Sequence, residues 1–105
     1  MRTFPKSLSK FREIVNERGE RLREVPFEDL KALATARTES LTVDSRPATI
    51  AIIVQSLPSG GLRVVVQGFM DARFIPGKHV ALDGFYKYPD ETIAPMPDDE
   101  FYEFG

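Results

Sequence analysis

The chain has 105 residues, 42% of them hydrophobic and 29% charged, with a formal net charge of -2 and no cysteine. That length makes one domain, able to bury roughly two-thirds of its unfolded surface around one modest core. The missing thiols exclude disulfides, thiolate zinc sites, iron–sulfur clusters and a cysteine nucleophile.

The first fifteen residues, MRTFPKSLSKFREIV, are basic in character. They hold no continuous apolar segment and no small-residue cleavage site, so no signal peptide is read and a cytoplasmic protein is expected. No apolar run approaches the ~20 residues that span a bilayer, so no membrane partner is expected. Residues 7–19 predict a helix with Ser7 as N-cap, with Leu8, Phe11, Ile14 and Val15 on one face and Gly19 as a natural stop. The link ERLREV reads as a ragged continuation of that helix. Residues 25–34 predict a second, short helix, with Pro26 early and Glu28 and Asp29 at the positive end of its dipole.

After about Thr38 β-branched residues take over. Residues 39–57 read as two strands around a turn at residues 44–47, and the Pro58–Gly61 turn closes a hairpin over residues 48–70. Residues 72–79 read as a loop turning at Pro76-Gly77. A fourth strand follows, with Gly84 as a candidate bulge. Residues 92–96 form a short strand whose Pro95 suits an edge, and Pro97 with Asp98, Asp99 and Glu100 opens a helical turn. The expected fold is a single α+β domain over residues 1–105. Two N-terminal helices (1–37) pack on an antiparallel meander of four to five strands (38–96), and a short helical turn (97–105) closes the chain.

The central strands are apolar on both sides. In residues 48–57, Ile50, Ile52 and Val54 share one face and Ile53 and Leu57 lie on the other; in residues 62–70, Leu62, Val64, Val66 and Met70 alternate with Val65 and Phe69. Two short helices cover only one face. The other calls for the C-terminal aromatics Phe101, Tyr102 and Phe104, for a second copy of the chain, or for a partner. Charge is also uneven: residues 1–37 hold nine basic and six acidic residues, whereas residues 88–105 hold six acidic residues and no basic one.

These features favour a small, non-enzymatic protein-binding or regulatory module of bacterial type, adaptor-like or resembling immunity proteins and antitoxins in size and charge alone. Its contact residues would be Tyr86, Tyr88, Asp98, Asp99, Phe101 and Tyr102, with aromatic anchors and acids that steer a basic partner. The partner would be another protein or a second copy. The alternative is a small enzyme or ligand binder built on Asp71, Arg73, Lys78, His79 and Asp83. In it, His79 and Asp83 share a strand face, and Arg73 and Lys78 hold an anion. A single histidine builds no His-rich metal site, and no glycine pattern cradles a phosphate, so neither metal nor cofactor is expected. Lys6, Lys10, Arg12, Arg18, Arg21 and Arg23 are interleaved with Glu13, Glu17, Glu20 and Glu24. With a pI of about 5.4 this is a solvated helix face rather than a nucleic-acid surface.

Overall fold

The computed structural model describes residues 6–33, 36–44, 46–71 and 78–103. Two helices, α1 (Lys6–Arg23) and α2 (Phe27–Ala32), precede five strands: β1 (Ala36–Val43), β2 (Arg46–Ser56), β3 (Leu62–Asp71), β4 (Lys78–Lys87) and β5 (Ile93–Pro95). A helical turn, α3 (Asp98–Phe101), ends the fold. The strands form one antiparallel meander in the order β1-β2-β3-β4-β5, and the fold is α+β.

Helix α1 starts before the expected cap, so Ser7 lies inside it. Nor does α1 stop at Gly19: the helix continues to Arg23, as the ERLREV reading anticipated. Gly19 is there for proximity, since a Cβ at this position would stand 1.8 Å from Asp83 Oδ2 on β4. Pro26 occupies the N-cap position of α2 rather than its first turn. The turn after β1 is shorter than expected, because β2 resumes at Arg46.

Leu8, Phe11, Val15 and Leu22 recur at helical spacing and are buried, with Phe27 and Leu30 of α2. They meet the inner face of the sheet: Val43, Ala48, Ile50, Val54, Leu62, Val64, Val66, Met70, Ala81 and Phe85. Burying this many large side chains supplies the main driving force for folding, at about 1.5–3 kcal/mol for each one fully withdrawn from water.

The junction between the helices is fastened to β4 by polar groups. Lys87, only 4% exposed, donates from Nζ to the carbonyl oxygens of Arg23 (2.8 Å) and Val25 (2.9 Å), which closes the C-terminal end of α1. Glu91 lies 3.3 Å from the same Nζ. Its carboxylate accepts from the Phe27 N–H at 3.1 and 3.2 Å, so an anion sits at the start of α2. Arg23 donates to both Asp83 oxygens (2.7 and 3.0 Å), and its guanidinium lies 4.7 Å from the Phe85 ring centre.

Gly84 is not a bulge. The β3–β4 register runs through it without interruption, with Val65 opposite Gly84. A Cβ there would come within 2.8 Å of Met96 Cε, so the missing side chain admits the segment after β5.

Candidate interaction surface

Strand alternation puts Thr38, Ser40, Thr42, Thr49, Ala51, Ile53, Arg63, Val65, Gln67, Phe69, Val80, Leu82, Gly84 and Tyr86 on the outer face, away from the main core. The C-terminal segment covers one end of this face. Val65 and Met96 are buried there, and Phe101 is half-buried. Glu100 ties the segment down: it accepts from Arg63 Nη1 at 2.9 Å and from the Tyr86 hydroxyl. Arg63 is held in turn by Gln55 Oε1, 2.9 Å from its Nε. Coverage of the outer face is therefore partial. Met96, Phe101 and Glu100 cover one end, Tyr102 projects away at 86% exposure, and Phe104 lies outside the described residues.

The other end of the face is not covered by any described residue. Ala51, Ile53, Phe69, Val80 and Leu82 are only half-buried, and the hydroxyl-bearing Thr38, Ser40 and Thr42 of β1, beside β2, are exposed.

The Tyr86–Glu100 hydrogen bond shifts both groups. It pushes the Tyr86 phenol up to about 12 and, joined by Arg63, holds the Glu100 carboxyl below its ordinary 4.5. A depressed carboxyl contributes stability that is present above its unfolded pKa and lost as pH falls through the folded one. We expect the C-terminal turn to loosen as pH falls below 4.5, read as movement of the Met96 methyl resonance. Glu100→Gln should show the loosened signal at neutral pH and little further change in acid. A Met96 signal independent of both pH and this substitution would overturn the role of Glu100.

The β4 edge is only partly closed. Strand β5 pairs with Phe85, Tyr86 and Lys87 and no further. The Tyr88 N–H donates to Thr92 O at 3.0 Å, and main-chain groups alternate in direction along a strand. Val80, Leu82 and Gly84 therefore turn their N–H and C=O groups outward. At Gly84 the N–H donates to Asp83 Oδ1 (2.9 Å) and the carbonyl lies 3.5 Å from Arg23 Nη2. The outward groups of Val80 and Leu82 have no partner among the described residues. A groove of about 280 Å³ runs along this stretch, lined by Arg12, Asn16, Val80, Ala81 and Leu82. A broader depression of about 540 Å³ lies beside Arg18, Thr38, Glu39 and Ile52, where Arg18 pairs with Glu39 and lowers its carboxyl pKa.

The anticipated contact residues divide. Tyr86 is engaged by Glu100, and Tyr88 is half-buried with its ring against Gly61. Phe101 packs partly down, and Asp98, Asp99 and Tyr102 are exposed. In the alternative cluster, Arg73 and the side chains of Asp71, Lys78 and His79 lie outside the described residues. The register places His79 and Asp83 on one face, but the Asp83 carboxylate is taken by Arg23. No cluster of metal-ligating side chains occurs among the described residues, and no described helix is long and apolar enough to cross a membrane. Of the basic residues read as a solvated face, Lys10, Arg18 and Arg21 pair with Asp44, Glu39 and Glu17, whereas Arg23 is drawn onto β4 by Asp83 and is half-buried there.

The sequence reading placed Arg12 on a solvated helix face and did not anticipate the open edge of β4. The signal was available in the disparity between a ten-residue β4 and a three-residue β5, which leaves most of β4 without a neighbour. Comparison with protein-family models, with curated proteins and with solved structures finds no match.

Proposed function

We propose that this protein is a non-enzymatic protein-binding module that engages its partner through the uncovered end of the outer sheet face. The observation that carries this reading is the half-buried apolar set Ala51, Ile53, Phe69, Val80 and Leu82, beside a C-terminal segment that covers only the other end. Apolar surface of this kind favours association by leaving water. Exposed Asp98 and Asp99 supply negative charge near the covered end, suited to steering a partner with basic groups around its own apolar patch. This is the behaviour of a small cytoplasmic adaptor or regulator, and a second copy of the chain is the competing occupant.

A photo-crosslinking residue at position 69, tested in cells against one at the exposed helix position 17, checks the reading. A discrete adduct with another protein is expected from position 69 alone, weakened at least about tenfold by Ile53→Glu, which places a charge in the contact. An adduct only with the chain itself would make the face a homodimer interface. No adduct from position 69 would overturn the reading.

A further inference from the structure

We propose that the C-terminal segment from Met96 to Glu103 is a displaceable strap, which opens as a unit of its own and in its closed state shields part of the binding face. This rests on the outer-face reading above and gives that face a means of regulation. The register sets the outer side chains of β2, β3 and β4 in rows across the sheet. The two rows that contain Phe69 and Leu82 lie at the uncovered end. The next row is Ile53–Val65–Gly84, and the last is Gln55–Arg63–Tyr86. Val65 is wholly buried and Met96 is 4% exposed, yet neither belongs to the main core. Their burial therefore depends on the strap lying across the outer face.

Two fasteners hold it there. Met96 fills the notch at Gly84, where a Cβ would stand 2.8 Å from its Cε. Glu100 accepts from Arg63 and Tyr86 in the last row. Between these points α3 buries no side chain, and Phe101 is only half-buried. The ladder to β4 ends at Pro95, and Pro97 has no main-chain donor to extend it. The hairpin turn before β5 is pinned separately, with Thr92 donating to Asp90 and Glu91 accepting from the Phe27 N–H, so opening pivots after β5. A segment with one buried apolar side chain and one polar latch opens far more readily than the sheet beneath it. Once it lifts, Ile53, Val65 and Gly84 become apolar surface continuous with the uncovered end. The strap carries Asp98, Asp99, Glu100 and Glu103, and a partner with basic groups around its apolar patch competes with Arg63 for it. The closed strap thus lowers the affinity of the face by the fraction of molecules in which it is open.

The chain carries its own reference for the test. Met70 is 1% exposed within the main core, so peroxide reaches its sulfur when the sheet opens, whereas Met96 is reached when the strap alone lifts. The intact chain is exposed briefly to peroxide, and initial rates of sulfoxide formation at both positions are read by mass spectrometry. Met96 is expected to oxidise at least about tenfold faster than Met70. Glu100→Lys, which sets a cation against Arg63, should speed Met96 at least about fivefold, and an unchanged Met70 rate would show the sheet intact. Binding of the neutral apolar dye Nile red should rise with Glu100→Lys and fall again when Ile53→Glu is added. In cells, Glu100→Lys should strengthen the position-69 adduct at least about threefold. Equal oxidation of Met96 and Met70 in the parent would overturn the strap, and with the adduct present it would leave outer-face binding standing. Faster Met96 oxidation in Glu100→Lys without a rise in dye binding or adduct would overturn the shielding. No adduct with or without the substitution would remove the partner and the regulation together.

Discussion

Lys87→Met should lower the stability of the protein by about 2–4 kcal/mol, seen as a reduced urea midpoint at unchanged slope. Methionine keeps most of the buried stem and its packing, so the loss isolates the three interactions of the ammonium. It strands the carbonyl oxygens of Arg23 and Val25, each worth about 1–3 kcal/mol when an acceptor is left without a donor away from water. It also removes the cation beside Glu91, whose carboxylate still sits at the Phe27 N–H. Glu91 is 53% exposed, so its share is small and falls with salt. Lys87→Ala should cost more, because it adds a void to the lost donors. If Lys87→Met stays within about 0.5 kcal/mol of the parent, water satisfies the two carbonyls and the helical junction does not depend on this side chain.

Gly68→Ala should also destabilise, by about 1–3 kcal/mol, although a Gly-to-Ala change in a strand ordinarily gains stability through the unfolded chain. The added methyl would lie 2.6 Å from Phe11 Cζ and 2.7 Å from Val15 Cγ2, and both side chains are wholly buried. Neither can swing away, so α1 must lift from β3 or the strand must bend. Phe11→Leu in the Gly68→Ala background gives the discriminating measurement. The pair should couple, with the double variant losing less than the sum of the single losses by roughly 0.5–3 kcal/mol. Strict additivity would mean that the penalty at position 68 does not come from the contact with Phe11.

Much of this architecture was readable because local chemistry and burial agree in the sequence. Leu8, Phe11 and Val15 mark the buried helix face, the Pro58–Gly61 turn separates β2 from β3, and Pro97 followed by acids marks α3. What escaped reading depends on distance in three dimensions. Gly19 and Gly84 looked like a stop and a bulge because glycine breaks regular structure on its own. Their actual neighbours, Asp83 and Met96, are brought in by the tertiary fold. Lys87 in an apolar strand carries no local sign that it will meet the end of a helix more than sixty residues earlier. The sequence pattern also revealed that both sheet faces are apolar, but the division of the outer face between a covered and an uncovered end follows from where Glu100 finds Arg63 and Tyr86.

The meander has a consequence for how the protein is made. Each strand pairs only with its neighbours in the chain, so hairpins can close in the order in which residues leave the ribosome. The N-terminal helices emerge first, yet α1 rests mainly against β3 and β4, and the clasp at its end needs Lys87 and Glu91. During synthesis the apolar side of α1 must therefore wait, exposed, until the sequence through Glu91 has been translated. A nascent chain arrested before residue 87 should present a holding chaperone with the hydrophobic side of an undocked helix, and release from arrest should withdraw it.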